Sequence, residues 1–320
     1  MGRKIAQLLK FVVSIGLLGY LLQRIGLEIF WNQLRSADWR WLLLGLAVFT
    51  VSNLLGAFQW YLLLKSSGVK ENYGRILRYY YVGLFFNNFF ISNMGGDFFR
   101  LYYISKYANN GAAAVSTVFL DRFLGFSMLT VLAVFGGLYW MGMAGMRHIW
   151  PVLTTLMVFW LALVVVLFNR KLGSALHFVL KWFVPEKFLT KLRAVYNLIH
   201  QFNRNKRLLL TLSLVSLGIQ SVRISVHYLA GRALGVEASF VAFMVFVPLI
   251  ALLASLPISI GGLGVREQSG VFLFQRVGVP MNLAMPMELL AYILTILSSL
   301  PGMVFYLFIG NGRAIRDEEI

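Results

Sequence analysis

The sequence predicts an all-α polytopic membrane protein, with about six full transmembrane helices and two re-entrant broken-helix hairpins in an inverted repeat. Three observations predict it. Of the 320 residues 59% are hydrophobic and mean hydropathy is +0.75, well above a soluble domain. Several apolar runs approach or exceed the roughly 18 residues of a spanning helix. One pattern, Gly-Gly, three residues, Arg, interrupts these runs twice, as Asn93-Met94-Gly95-Gly96-Asp97-Phe98-Phe99-Arg100 and as Ser259-Ile260-Gly261-Gly262-Leu263-Gly264-Val265-Arg266-Glu267. Glycine-broken segments at matching places in two halves point to a transporter's binding site.

The first span is predicted over Ile5–Leu22. Arg3, Lys4 and Lys10 around it resemble a signal peptide, but Gln23-Arg24-Ile25 is no cleavage site, so a retained helix is expected. Trp31, Trp39 and Trp41 suit an interface. The second span covers Trp41–Leu64, and a basic loop with Lys65, Lys70, Arg75 and Arg78 follows. Tyr79–Ser92 and Phe98–Tyr107 flank the first Gly-Gly break. Limbs of ten to fourteen residues reach only roughly 15–21 Å, short of a hydrocarbon core of about 30 Å, so a hairpin is expected. Val115–Trp140 spans. The second half repeats the order, with spans Pro151–Phe168 and Leu208–Ala230, a hairpin of Phe240–Pro257 and Gln268–Val277, and a last span Met287–Ile309. Phe240–Pro257 is also long enough to span. A single domain is expected over residues 1–310, with repeats 1–141 and 150–310, a cytoplasmic amphipathic segment 170–207 within the second and a short cytoplasmic tail 311–320.

Charge sets the expected topology. With both termini cytoplasmic, 20 of the 29 Lys and Arg fall on the cytoplasmic side and seven outside, leaving Arg122 and Arg223 within the membrane. This is the positive-inside bias. The two halves then relate by inversion through the membrane plane, with hairpins entering from opposite faces. Nine of the 29 basic residues lie between Arg170 and Arg207. Together with the net charge of +17, they suit anionic lipid heads and do not call for nucleic acid. Phe188, Leu192, Val195, Ile199 and Phe202 form one helical stripe there, expected to lie on lipid as an in-plane cytoplasmic helix. A partner-binding helix of the kind calmodulin takes is the alternative.

Charges at membrane depth are candidates for function. Asp97 and Arg100, Asp121 and Arg122, Arg223 and His227 four apart on one face, and Arg266 with Glu267 stand out. Glu288 is expected at the interface. The helix after each break begins at Gly95-Gly96 or at Gly261-Gly262 and Gly264, so its free N–H groups and positive dipole end face the break. Arg100 and Arg266 lie about one turn in, and arginine grips phosphate bidentately. An anion held between the breaks is therefore expected, with Asn87, Asn88, Ser92, Ser255 and Ser259 as neutral partners. The competing reading is that Asp97, Asp121 and Glu267 merely neutralise the arginines in buried pairs. There are no cysteines, and His148, His177, His200 and His227 are scattered, so no metal or other cofactor is expected.

The Gly-Gly-Leu-Gly-Val-Arg-Glu stretch of 261–267, the Asn-Met-Gly-Gly-Asp-x-x-Arg stretch of 93–100 and Asp121-Arg122 resemble the lysylphosphatidylglycerol synthase transmembrane-region family. This is the flippase-like domain also found in the bacterial multiple peptide resistance factor. The likeness covers about residues 5–310. In the resistance factor a soluble aminoacyl-tRNA-dependent transferase follows; it is expected to be absent here, so synthase activity is not inferred. The resemblance implies translocation of an anionic, amino-modified or polyprenyl-phosphate lipid in a bacterial or archaeal cytoplasmic membrane. No Gly-x-x-x-x-Gly-Lys-Ser/Thr occurs, so ATP cannot drive it directly. Movement would be downhill, or coupled to ions or protons through Asp97, Asp121, His227 or Glu267. The expected partners are phosphate-bearing membrane lipids. The alternatives are a membrane-embedded enzyme on a lipid or polyprenyl phosphate, or an accessory subunit of an envelope-synthesis protein.

Overall fold

The computed structural model describes residues 15–89, 95–108, 110–140, 149–169, 205–256, 258–259 and 261–310, together with 189, 194–200 and 202. All regular structure among these residues is helical. The helices are α1 (Ile15–Ile25), α2 (Leu27–Ser36), α3 (Trp39–Ser66), α4 (Tyr73–Phe89), α5 (Gly95–Tyr107) and α6 (Gly111–Trp140), then α7 (Trp150–Phe168), α8 (Lys206–Ala233), α9 (Phe240–Ser255), α10 (Val265–Phe274), α11 (Met281–Ser299) and α12 (Pro301–Gly310). Among the described residues five stretches are long and apolar enough to cross a bilayer: Trp39–Ser66, Gly111–Trp140, Trp150–Leu167, Lys206–Ala233 and Met281–Phe308. Residues 5–14 of the expected first span lie outside the described residues.

Local chemistry sets the helix ends. Asp38 caps α3, its Oδ1 accepting from the Arg40 N–H at 2.9 Å. Asn205 caps α8 in the same way, from the Leu208 N–H at 3.0 Å. Gly26, at φ 86°, ends α1. Pro301 opens α12 and so breaks the last span after Leu300.

Long α3 and α8 pack along each other at the centre. Gly45 of α3 makes room for α11 instead, since a Cβ there would stand 2.9 Å from Leu294. The main apolar core joins α1, α2, α6, α8, α9, α10 and α11, with Phe243, Phe246, Phe274 and Met287 at most 1% exposed. α7, apolar but for Thr154 and Thr155, packs on α6 through Leu153, 1% exposed in the main core against Gly137, and through Trp160 against Phe123 and Phe126.

Both Gly-Gly stretches join antiparallel helical pairs. In the first pair, rings stack across the interface: Tyr79 on Tyr103 at 4.8 Å and Phe86 on Phe99 at 3.8 Å. The Gly96 N–H donates to Asn87 Oδ1 at 2.9 Å. In the second, Phe274 meets Phe243 and Phe246 at 4.7 and 5.2 Å, and Gly262 lies against Ala254. Gly261, Gly262 and Gly264 have φ of 60°, 80° and 81°, a backbone that only glycine adopts cheaply.

The structure departs from expectation in three places. α4 begins at Tyr73, six residues earlier than expected, so its 17 residues reach about 25 Å, and the shortness argument holds only for α5 and α10. The last span begins at Met281 rather than Met287. Of the basic segment's stripe, Val195, Ile199 and Phe202 pack on Leu63, Leu120, Leu124 and Leu212 rather than facing lipid. The apolar floor formed by α3, α6 and α8 accounts for that correction; Phe188 and Leu192 lie outside the described residues.

Close helix approach at Gly96 gives a direct test. A Cβ there would run into the Gly83 carbonyl, which as backbone cannot move aside. Gly96→Ala should therefore cost about 3 kcal/mol or more, the upper end of overpacking. Gly218→Ala, with nothing within 4 Å, should not destabilise. Thermal unfolding of both variants in detergent measures the contrast.

Candidate functional site

A cavity of about 280 Å³ lies where the two hairpins meet α3, α6, α8 and α11. Among the sequence candidates, Arg100, Asp121, Arg122, Arg223, His227 and Arg266 line it. Part of the lining is apolar, with Phe49, Leu84, Phe126, Leu129, Val247 and Ile250 from α3, α4, α6 and α9. The opposite character comes from Asn53, Gln59, Asn87, Asn88, Ser216, Gln220 and Ser255.

The four arginines differ in partners. Arg100, at 5% side-chain exposure, donates to Asp97 Oδ1 at 3.4 Å and to Asp121 Oδ2 at 2.9 Å. Its guanidinium also lies over Trp60 and Tyr80, 4.2 and 5.0 Å from the ring centroids. Arg122 Nε donates to Asp97 Oδ2 at 2.9 Å, while 41% of its side chain stays accessible. Gln59 Nε2 completes the network, donating to Asp121 Oδ1 at 2.9 Å. Both Arg100 contacts engage acids, so the buried-pair reading describes this arginine.

Arg223 and Arg266 are held differently. Arg223 Nε donates to Ser52 Oγ at 3.2 Å, leaving its two outer nitrogens for another partner. Arg266 lies over the Tyr292 ring at 4.7 Å. Neither forms an ion pair among the described residues.

Other candidates have structural contacts. Glu267, fully buried, accepts from the Gly264 N–H at 2.6 Å and so caps α10. With the Gly96 N–H already on Asn87, at least one N–H at each break is satisfied by the protein itself. Gly95 and Gly96 open α5, and Gly261, Gly262 and Gly264 shape the second turn. Neither these glycines nor Asp97 and Glu267 line the cavity. Asn87, Asn88 and Ser255 do line it; Ser259 is buried away from it, and Ser92 lies outside the described residues.

His227 and Glu288 correct a further expectation. Glu288 is 0% exposed, two turns into α11, with His227 Nδ1 3.3 Å from its Oε1 and 3.1 Å from its Oε2. It seemed interfacial only because the span was started too late. Sequence reasoning also passed over Gln59, Asn53, Ser216 and Gln220, polar residues within spans. Their one signal is an amide or hydroxyl at membrane depth, which needs a partner.

Comparison with known proteins decides the family. The sequence matches the profile described as the lysylphosphatidylglycerol synthase TM region over residues 7–302. The chain belongs to this family. It is also 24% identical over 307 residues to the UPF0104 membrane protein of Pyrococcus horikoshii, covering 88% of this chain and 90% of that one. With five bilayer-length apolar stretches among its described residues, this member of the family is an integral membrane protein.

The partner assignments predict unequal stability effects. Arg100→Ala strands two buried carboxylates and should destabilise by about 3–5 kcal/mol. Arg223→Gln and Arg266→Gln break no ion pair and should each cost under about 1 kcal/mol. Chemical unfolding in detergent reads both; equal losses at Arg100 and Arg266 would contradict the assignment.

Proposed function

We propose that this protein is a lipid flippase or transporter that moves a phosphate-bearing lipid headgroup through the cavity between its two Gly-Gly hairpins, without changing the lipid chemically. The observation that carries this reading is the cavity wall. Arg223 and Arg266 converge on it from α8 and α10, with no carboxylate partner among the described residues. Arginine pairs bidentately with phosphate, and a charge placed at membrane depth without a partner is a functional candidate. The apolar part of the lining suits the start of an acyl or polyprenyl chain. Arg122, with its accessible edge, is a third contact. Arg100 positions the hairpin instead, locked on Asp97 and Asp121.

In this reading the two helical pairs are re-entrant hairpins from opposite membrane faces, and the halves form an inverted repeat, as in many transporters. The matching Gly-Gly-x-x-x-Arg spacing and the antiparallel packing of each pair support it. Both termini are then cytoplasmic, by the positive-inside charge count. Because the chain has no cysteine, topology is directly testable. Ile315→Cys in sealed cells should resist a membrane-impermeant maleimide and react after permeabilisation; labelling from outside reverses the proposed orientation.

The functional test is a liposome assay that scores lipid movement and chemical change together. Arg223→Gln and Arg266→Gln should each lower the rate at least tenfold at normal protein levels, a loss of roughly 1.4 kcal/mol or more of differential interaction. Transport at the parent rate by both variants would remove the anion site from the cavity. Turnover of the lipid to a new product would replace the transporter reading by an enzymatic one.

A further inference from the structure

Three cavity-lining side chains each keep a buried oxygen without a hydrogen-bond partner: Asn53 Oδ1, Gln59 Oε1 and Ser216 Oγ. Their residues are 0%, 2% and 0% exposed. The amide orientations are fixed by what the nitrogens do. Asn53 Nδ2 donates to Ser298 Oγ at 3.1 Å, and Gln59 Nε2 donates to Asp121 Oδ1 at 2.9 Å. The carbonyl ends are therefore the free ends. Buried acceptors without donors are uncommon and costly, and a ligand hydroxyl that reaches them recovers that cost.

The carboxylates are in the opposite condition. Asp121 has Gln59 on one oxygen and Arg100 on the other. Asp97 is divided between Arg100 and Arg122. Glu288 is held by His227, and Glu267 is turned to the Gly264 N–H, away from the lining. An ammonium group entering this cavity would meet four arginines and neutral oxygens, with no uncommitted carboxylate on the lining. Burying a cation without a counter-charge is strongly unfavourable.

We infer that the cavity selects a phosphodiester lipid whose headgroup is an uncharged polyol, a glycerol or a sugar, over one whose headgroup carries an ammonium. This rests on the proposed reading of the cavity as a lipid-headgroup site and narrows it to a substrate class. The phosphate sits with Arg223 and Arg266; the hydroxyls donate to Asn53, Gln59 and Ser216. A volume of about 280 Å³ admits a headgroup and excludes a whole two-chain lipid.

The experiment uses the full-length protein in detergent and three short-chain ligands: dioctanoyl phosphatidylglycerol, dioctanoyl phosphatidylmethanol and dioctanoyl lysylphosphatidylglycerol. All three carry the phosphodiester; only the first adds a neutral diol, and the last adds ammonium groups. Titration calorimetry should give phosphatidylglycerol roughly tenfold tighter than each of the others, the scale of one or two net hydrogen bonds. Ser216→Ala removes one unpartnered hydroxyl and leaves every anchoring bond intact. It should weaken phosphatidylglycerol several-fold and leave phosphatidylmethanol unchanged. Asn53→Asp supplies a carboxylate of the same shape and should shift the preference towards lysylphosphatidylglycerol by about tenfold.

Equal or tighter binding of lysylphosphatidylglycerol by the parent protein overturns the inference. If all three ligands bind alike and Arg223→Gln weakens all of them, the headgroup site stands and the polyol selection falls. If none binds, both readings fall together.

Discussion

The paired charges around Arg100 are the constraint on which the first half depends. At membrane depth an ionised side chain needs a counter-charge and hydrogen bonds. Here Arg100 of α5 takes Asp121 of α6 and Asp97 of its own helix, while Trp60 of α3 and Tyr80 of α4 face its guanidinium. Asp97 then reaches Arg122 of α6, and Asp121 takes Gln59 of α3. One connected network thus ties four helices together and sets the distance of the first hairpin from the cavity. Every member is constrained by the cost of stranding the others.

The second half uses the same Gly-Gly-x-x-x-Arg spacing to a different end. The acid in the first half comes three residues before its arginine, one helical turn away, where Asp97 can pair with Arg100. In the second half the acid follows directly, so Glu267 points elsewhere and closes on the Gly264 N–H. A shift of the carboxylate by four positions leaves Arg266 with the Tyr292 ring against it and, among the described residues, no ion pair. The backbones differ too: Gly95 and Gly96 are the first residues of α5, while Gly261, Gly262 and Gly264 take positive φ ahead of α10.

Hydropathy and length made the helical membrane architecture legible, because a bilayer leaves few other ways to satisfy the backbone. The four-residue spacing of Arg223 and His227 likewise placed both side chains on one cavity-facing surface. What could not be read was the long-range pairing. The place of the acid already distinguishes Arg100, with Asp97 one turn before it, from Arg266, but Asp121 and Trp60 at the first arginine and Tyr292 at the second come from distant helices. Glu288 was misread for a related reason: a polar residue near an apolar boundary looks like an end, and only packing against His227 shows it two turns inside. The stripe at Val195, Ile199 and Phe202 would suit lipid or protein equally, and the apolar surface of α3, α6 and α8, buried in the same cluster, decides between them.

The cavity's polarity follows from where unlike helices were brought together. α3 and α8 carry the buried polar residues Ser52, Asn53, Gln59, Ser216 and Gln220, and all of these but Ser52 line the cavity. Such groups must find partners inside hydrocarbon. Some do so across helices, as Asn53 does with Ser298 and Asn88 with Ser299 at 3.0 Å. The Asn53 and Gln59 amide donors hold helix to helix, and their oxygens, with that of Ser216, are left over at the cavity. Arg223 and Arg266 have the reverse surplus, cationic donors with no ion pair among the described residues. On the proposed reading, a phosphate ester carrying hydroxyl groups supplies both complements in one molecule, so the contacts that assemble the bundle would also set the chemistry of its ligand.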